Sequence, residues 1–371
     1  MRRAAAVLGV LLLAACGGPG EGTPENPERV PDPRVTVTAP AAPESFTLVA
    51  TGDVLVHQGR ALTEGARRPD GSYDFSGVFA PVAGLIGDAD LAICHLETPI
   101  AEAGGPYRGY PSFAVQPEIV DALAGAGYDL CSTASNHSLD DGFDGLVRTI
   151  EALRAAGIVP SGTYRSEPES VAATLIDVGG VTVGHVAATF SLNGVPLPAG
   201  REWSVDVADV PDVGGMLAAA ARARAAGAQA VVASLHCCAE YDDDPTGAQV
   251  TAVRTLLASP DVDLVLGHHA HVVQPIESID GEWAAYGLGN HLAEHATRGY
   301  PTEDSVAARF TFTRGADGRF TVTAAEAVPL RIEVGAGSVR IVPADPESFA
   351  RIAEVLGRRG AVQAGLDIRP G

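Results

Sequence analysis

The stretch Leu264 to Gln274 reads LVLGHHAHVVQ and joins an apolar run to three histidines. The apolar run stops at Gly267, and His268, His269 and His271 follow at once. An apolar run that ends in a glycine is typical of a buried strand that gives way to a loop. In an extended loop, residues two apart point to the same side, so His269 and His271 can share one metal ion. The stretch therefore predicts a strand end that carries metal ligands.

Polar residues follow other apolar runs in the same way. These runs end at Ala50, Cys94, Cys131, Leu235 and Tyr286. Helical periodicity separates them, as over 142–156, where apolar residues recur at spacings of three and four. Strands that alternate with helices predict a layered α/β fold, and sites in open α/β sheets lie at the carboxyl ends of the strands. We therefore expect scattered strand ends to meet at one pocket.

Further elements are predicted around this framework. Gly179-Gly180 predicts a hairpin between 171–177 and 181–187. The carboxyl-terminal part predicts antiparallel strands at 306–313 and 320–325 and a helix at 346–358.

The polar residues at the strand ends form a set with a common chemistry. The candidate metal ligands are Asp53, Glu97, Asn136, His236, His269 and His271. Carboxylate, amide oxygen and imidazole together favour one or two divalent ions of Mn, Fe or Zn over Ca or Mg. His137 follows a candidate ligand and points elsewhere, which makes it the candidate general acid.

The amino-terminal segment predicts export. MRRAAAVLGVLLLAAC combines two arginines, a short apolar stretch and small residues before Cys16, the pattern of a lipoprotein signal. We expect a signal peptide at 1–16, with Cys16 as the lipid anchor to the bacterial cell membrane. Residues 17–44, rich in Gly, Pro and Glu, predict a flexible tether. The folded domain is predicted at 45–331, with a strand and helix extension of the same domain at 332–371.

The charge balance and the cysteines limit the partners further. The chain has 25 Lys and Arg against 46 Asp and Glu, a net charge of −21, which argues against nucleic acid as a partner. Cys94, Cys131, Cys237 and Cys238 lack the C-x-x-C spacing of a structural zinc site. Their pairing stays open, with Cys94 and Cys131 expected close together as a disulfide or as two buried thiols.

Taken together, the motifs resemble those of the CapA family of capsule-synthesis proteins, which is linked to poly-γ-glutamate. The resemblance rests on Gly52-Asp53, Leu96-Glu97, Ser135-Asn136-His137-Ser138-Leu139-Asp140, Leu235-His236, the stretch 267–274 and Leu288-Gly289-Asn290. That family is in turn similar to the calcineurin-like metallophosphoesterases. The resemblance implies a four-layer fold, with two mixed sheets between helices and the site at the strand carboxyl ends.

The resemblance also implies roles and shows departures. Glu97 stands where the phosphoesterase series has its bridging aspartate. The Asp-x-His of that series is Asp53-Val54-Leu55 here, so one histidine ligand is missing, and His57 is a candidate replacement. His268 is expected to be an outer or surface residue rather than a ligand. His95, His185 and His295 are expected to be structural or solvated.

The residues predict an exported divalent-metal-dependent hydrolase, and the resemblance implies that it is of the metallophosphoesterase type and acts in capsule, poly-γ-glutamate or cell-envelope polymer biosynthesis. Its expected partners are an anionic or phosphorylated small molecule or a poly-γ-glutamate-like polymer, together with a membrane synthase complex. Two alternatives stay open. One is metal-dependent hydrolysis or transfer at γ-glutamyl amides. The other is a non-catalytic accessory subunit of a membrane polymer synthase.

Overall fold

The computed structural model describes residues 44–295, 301–335 and 337–371. Two mixed β-sheets pack face to face, and helices cover their outer faces. The predicted four-layer α/β architecture is confirmed. The predicted signal peptide and residues 17–43 of the predicted tether lie outside the described residues, and the predicted domain boundaries stay predictions.

The described ranges contain fifteen strands and nine α-helices. The strands are β1 (Ser45–Val54), β2 (Leu91–Leu96), β3 (Leu130–Ser132), β4 (Val159–Ser161), β5 (Thr174–Val178), β6 (Val181–Thr189), β7 (Ala230–His236), β8 (Leu264–His268), β9 (Ile276–Ile279), β10 (Glu282–Ala285), β11 (Asn290–Leu292), β12 (Asp304–Arg314), β13 (Phe320–Gly335), β14 (Ser338–Pro343) and β15 (Leu366–Ile368). The helices are α1 (Ala61–Ala66), α2 (Ser76–Phe79), α3 (Ala83–Gly87), α4 (Glu118–Ala126), α5 (Gly142–Ala155), α6 (Glu167–Val171), α7 (Gly214–Ala225), α8 (Gly247–Leu257) and α9 (Pro346–Gly357).

The order of the strands brings their carboxyl ends together. The first sheet runs β14-β13-β12-β1-β2-β3-β4, with β11 beside β1 and β15 beside β13. The second sheet runs β5-β6-β7-β8-β10-β9. Strands β1 to β4 and β11 are parallel to their neighbours in this group, and so are β6, β7, β8 and β10. Parallel strands end at the same edge of a sheet, and this edge is where the polar clusters of the sequence lie.

The central strands are buried on both faces. In β1, Leu48 and Ala50 pack between the two sheets, while Val49 packs against the helical layer on the other side. In β7, Val232 packs between the sheets and Val231 packs in the outer helical layer. Side chains alternate across a strand, so burial of both faces requires an unbroken apolar run.

A glycine fixes the end of β1 against the loop before β11. A Cβ atom at Gly52 would lie only 1.9 Å from the backbone oxygen of Gly289. The next backbone amide, that of Asp53, donates to the same oxygen at 2.9 Å. Asp53 is therefore in register with Asn290, and a larger residue at position 52 would push the two segments apart.

Several predicted elements are confirmed. The hairpin across Gly179-Gly180 is formed by β5 and β6, the helix over 142–156 is α5, and the carboxyl-terminal strands are the antiparallel pair β12 and β13. Asp53, predicted to follow the first strand, lies inside β1 because the pairing with β11 and β2 extends that strand beyond Ala50.

The cysteines form two pairs. Cys94 and Cys131 are neighbours across β2 and β3 and are joined by a disulfide, which is one of the two predicted alternatives. Cys237 and Cys238, adjacent in sequence, are joined by the second. None of the helices in the described ranges is long and apolar enough to span a bilayer.

One buried histidine has no polar partner. His291 is fully buried beside Phe79 and Tyr128, and neither of its ring nitrogens has a hydrogen-bond partner among the described residues. Burial lowers the pKa of His291 to about 3. A buried polar group without a partner costs about 1–3 kcal/mol.

We expect His291→Phe to raise the free energy of unfolding by about 1–2 kcal/mol at pH 8, because the phenyl ring fills the site without an unpaired polar atom. The gain should grow by about 2 kcal/mol at pH 5. At this pH His291 of the unfolded wild type is protonated whereas His291 of the folded wild type stays neutral, so the wild type loses stability and the phenylalanine variant does not. Urea denaturation at the two pH values measures both effects.

His185 provides the matched control for this prediction. It is also buried, but its two nitrogens lie 2.8 Å from Ser161 Oγ and 3.0 Å from Ser234 Oγ. His185→Phe should therefore destabilise the protein at pH 8. If both variants changed stability in the same direction at pH 8, the unpaired state of His291 would not be the cause.

Candidate metal centre

The first sheet supplies the carboxylates of the site. Asp53 lies near the end of β1, and Glu97 directly follows β2. His95, two residues before Glu97, lies on the same side of β2 because side chains alternate along a strand. All three side chains are buried.

Four side chains form the first cluster. Asp53, His95, Glu97 and His236 each offer a ligand atom, and these atoms lie within 4.8 Å of one another. His95 Nε2 lies 2.9 Å from His236 Nδ1, and His236 Nε2 lies 3.9 Å from Glu97 Oε1. The first cluster therefore joins β1 and β2 of the first sheet to β7 of the second.

The second cluster contains Glu97, His269 and His271, again with ligand atoms within 4.8 Å of one another. His271 Nε2 lies 3.8 Å from Glu97 Oε1. Glu97 therefore belongs to both clusters.

The loop after β8 reaches this geometry in an unexpected way. His269 and His271 have φ angles of 86° and 57°, so the loop is not extended, and the prediction that an extended loop aligns these rings is wrong. Non-glycine residues in this left-handed region are uncommon and cost of order 1–3 kcal/mol each. The backbone amide of His269 donates to Asp53 Oδ2 at 3.1 Å, which helps to hold the turn.

The chemistry of the cluster fits a divalent metal site. Both carboxylate oxygens of Glu97 are buried and lack a hydrogen-bond partner in the described part of the chain, and the same holds for His95 Nδ1 and His269 Nδ1. Buried charged groups are normally paired or bound to a metal. Imidazole with carboxylate is a donor set for Mn, Fe or Zn.

The two carboxylates differ in their surroundings. Burial raises the pKa of Asp53, but hydrogen bonds from His268 and His271 outweigh it and hold this pKa well below its usual range. Burial raises the pKa of Glu97 well above its usual range, and the nearby charge of His271 offsets this only in part. Asp53 is thus held as a carboxylate by its neighbours, whereas the charged form of Glu97 is disfavoured unless a further cation lies beside it.

Asn136 and His137 lie at the entrance to the cluster. Asn136 Oδ1 is 2.9 Å from His236 Nε2, which places it beside the first cluster. His137 Nδ1 is 2.7 Å from Asp140 Oδ2, and its Nε2 is 4.0 Å from Glu97 Oε1. Asp140 also accepts the backbone amide of Phe113 at 2.7 Å, so the carboxylate that orients His137 is itself fixed.

Two histidines of the site were not among the predicted site residues. His95, expected to be structural or solvated, lies fully buried within the first cluster. His268 is also buried; its ring stacks on His95 at 4.1 Å, and its Nδ1 lies 3.2 Å from Asp53 Oδ1. The signal for His95 was its i, i+2 spacing to Glu97, the same spacing that pointed to His269 and His271.

His57, His185 and His295 have other positions. His57, the candidate replacement ligand, lies outside both clusters, and the place next to Asp53 is taken by His95. His185 is a structural residue between two serines, as predicted. His295 lies with His57 in the wall of a cavity in front of the clusters.

This cavity has a volume of about 880 Å³. Its lining combines polar and aromatic side chains: Leu55, His57, Arg60, Tyr110, Pro111, Phe113, Asn136, His137, Asn193, Glu240, Tyr241, His271, His295 and Thr302. It is large enough for a small organic molecule or a segment of polymer.

Comparison with known sequences identifies the family. Residues 47–295 match the family described as "Bacterial capsule synthesis protein PGA_cap". The chain belongs to the PGA_cap family. The predicted resemblance to CapA proteins is confirmed.

PGA_cap relatives include three proteins of stated role. The PGA biosynthesis protein CapA of Bacillus subtilis is 28% identical over 56% of this chain and 53% of its own length. A probable polyglutamine synthesis accessory protein of Mycobacterium tuberculosis is 30% identical over 56% of each chain. The capsule biosynthesis protein CapA of Bacillus anthracis is 26% identical over 79% of this chain and 69% of its own. The chain thus spans about half the length of the first two relatives.

Solved structures show looser similarity to this PGA_cap chain. A hypothetical protein from Thermus thermophilus has a TM-score of 0.47 at 15% identity, covering 77% of this chain and 99% of its own. The calcineurin-like phosphoesterase YfkN of Bacillus subtilis has a TM-score of 0.41 at 17% identity, and the match covers 84% of this chain and 96% of the YfkN chain. Scores in this range support no argument about activity.

Proposed function

We propose that this PGA_cap protein is a divalent-metal-dependent hydrolase, most simply of a phosphoester, that acts in capsule or cell-envelope polymer metabolism. The observation that carries the proposal is Glu97, a buried carboxylate without hydrogen-bond partners among the described residues that is shared by two ligand clusters. The link to polymer metabolism rests on family membership and on the names of the relatives.

The ligands in this proposal follow the two clusters. Asp53, His95, Glu97 and His236 would hold one ion, with Asn136 beside them, and Glu97, His269 and His271 would hold the other. Bound divalent ions supply Lewis-acid polarisation of the group that is hydrolysed. We propose Mn, Fe or Zn, because nitrogen donors dominate the second cluster.

His137 would carry the proton in this reaction. Its Nδ1–H donates to Asp140 and its Nε2 faces the cluster, so the ring acts as the acid in its imidazolium form, with the second proton at Nε2 toward the cavity. A proton delivered from Nε2 to the leaving oxygen would complete bond cleavage. Asp140 acts through His137, as a residue that positions the ring.

The test combines metal content with turnover. We expect the purified full-length chain to bind two equivalents of Mn, Fe or Zn and to hydrolyse a generic phosphoester such as bis-p-nitrophenyl phosphate. Elemental analysis and a colorimetric assay measure the two results. Metal with breakdown of poly-γ-glutamate but no phosphoester turnover would replace the proposal with the amide-hydrolase alternative. No metal after reconstitution would leave the accessory-subunit alternative.

Export through the lipid anchor at Cys16 is part of the same proposal. It is supported by the composition of residues 1–16. Mass spectrometry of the mature amino terminus in the native host tests it: an unmodified Cys16 that is still preceded by Ala15 would contradict it.

A further inference from the structure

One end of the cavity in front of the clusters is lined by Arg60, His57 and His295 and is called the basic end here. The proposed reaction does not use these residues. Arg60, immediately before α1, lines this end and is partly buried. Its guanidinium donates to the backbone oxygen of Glu294, and no carboxylate of the described residues forms an ion pair with it. Arg60 is the single arginine among the described residues that line the cavity, and the sequence contains no lysine.

Two histidines beside Arg60 present further donors. His57 Nδ1 accepts the backbone amide of Glu294 at 3.2 Å, so the proton of the neutral ring is on Nε2. His295 Nε2 lies 3.1 Å from the amide nitrogen of Asn290, which leaves Nδ1 of that ring as the donor. Burial, with the charges of His295 and Arg60, lowers the pKa of His57 to about 3, so this ring is neutral at ordinary pH.

The basic end is separate from the clusters but close to them. The ring centroids of His57 and His295 are 5.0 Å apart, and those of His295 and His271 are 5.4 Å apart. His295 thus joins the basic end to His271, a candidate ligand of the second cluster. Tyr241 lies beside both of these histidines, with its ring centroid 5.9 Å from the ring centroids of His271 and His295. A ligand that contacts both Arg60 and the second cluster would pass His295.

The charge of the whole chain makes this end unusual. A net charge of −21 repels anions in general, yet here a guanidinium without an ion pair among the described residues and two imidazole rings face one cavity. A guanidinium presents a planar fork of donors that matches a carboxylate or a phosphate, and hydrogen bonds to charged groups are the strong ones.

We propose that Arg60, His57 and His295 form a second anion subsite, which holds a carboxylate or phosphate of the substrate away from the bond that reacts at the clusters. The substrate class is then a molecule with one anionic group at each end of the cavity. This inference rests on the proposed function for the identity of the reacting end.

The test uses pairs of ligands that cannot be hydrolysed. Each pair contains an ω-phosphonocarboxylate and the ω-hydroxyalkylphosphonate of equal chain length, and the length is varied between pairs. Isothermal titration calorimetry of the full-length chain gives the ratio of the two affinities, with and without added Mn²⁺. We expect the carboxylate member of at least one pair to bind about tenfold tighter, and Arg60→Gln to reduce that preference to about twofold or less.

Arg67→Gln is the matched control, because Arg67 is an exposed arginine just past the other end of α1 and outside the cavity lining. It should keep the preference of the wild type. Arg60→Lys keeps the charge but loses the planar set of guanidinium donors, so we expect it to retain part of the preference. This variant replaces Arg60→Gln in the test if the glutamine variant does not fold. An α,ω-bisphosphonate of the same length then shows whether the subsite favours phosphate over carboxylate.

Two results would overturn the inference: no preference for the carboxylate at any length in the wild type, or an unchanged preference in Arg60→Gln. The ratio is measured with and without metal, so it is independent of turnover. A protein without metal or activity that still shows the Arg60-dependent preference would contradict the proposed function and keep the subsite.

Discussion

Replacing Glu97 with glutamine is expected to remove metal from both clusters. Glu97 is the residue that the two ligand sets share, and both of its oxygens are buried without hydrogen-bond partners among the described residues. The amide keeps the shape but loses the charge and one oxygen donor. Residues outside the ligand set of a metal site already change affinity by about 10–100-fold, so a shared ligand should cost more than about 100-fold. Elemental analysis after dialysis measures the loss.

The same substitution should act in the opposite direction on the metal-free protein. Burial of Glu97 disfavours its charged form, and glutamine removes that cost, so the metal-free variant should unfold at higher urea concentration than the metal-free wild type. Glu277→Gln is the control, because Glu277 is also buried but pairs with Arg254, Arg359 and Tyr286. The Glu277→Gln variant should bind as much metal as the wild type. Two retained equivalents in Glu97→Gln would show that Glu97 does not bridge.

Single-cluster variants sharpen this prediction. His95→Ala should remove one equivalent and His269→Ala the other, because each residue belongs to one cluster. Loss of both equivalents in either variant would mean that the two ions bind cooperatively or that only one site exists.

Replacing His137 with alanine is expected to keep the metal and to lower turnover by about 10²–10⁴-fold, the range that general acid catalysis contributes. His137 faces the cluster through Nε2 and is absent from both ligand sets. The loss should be smaller for a substrate with a good leaving group, such as p-nitrophenolate, than for an alkyl phosphoester. Steady-state kinetics on the two substrates measures this difference.

Asp140→Asn tests how His137 is held. The asparagine keeps a hydrogen-bond acceptor at 2.7 Å but not the charge, so turnover should fall less than in His137→Ala. Asp144→Asn is the control, since Asp144 is an exposed acid in the first turn of α5. Loss of metal in His137→Ala would instead make His137 a ligand.

Part of this site could be predicted from sequence because parallel strands end at one edge of a sheet. Asp53, Glu97, His236 and His269 each follow or end an apolar run, so their convergence needed only the layered α/β order. Family membership was predicted from the series of motifs, and the four-layer architecture from that resemblance. Both are confirmed.

The rest depended on information that the local sequence does not carry. His95 follows the apolar run that ends at Cys94, and its spacing of two from Glu97 places both side chains on one face of the chain. The local sequence does not say whether that face meets the second sheet. The turn at His269 and His271 is left-handed, although neither residue is a glycine, and the contacts that hold it come from Asp53 on another sheet. Asn290 is brought to Asp53 by pairing between β1 and β11, which no short-range pattern specifies.

The contact between Gly52 and Gly289 has a consequence for how the protein is made. β1 is among the earliest parts of the folded region to leave the ribosome, yet two of its neighbours, β11 and β12, are made more than two hundred residues later. A nascent chain that has not reached Asn290 therefore cannot hold Asp53 in place. Contacts so distant in sequence form slowly. The site is thus assembled only after Asn290 has been made, which would suit the proposed export, in which the chain crosses a membrane unfolded and acquires its metal afterwards.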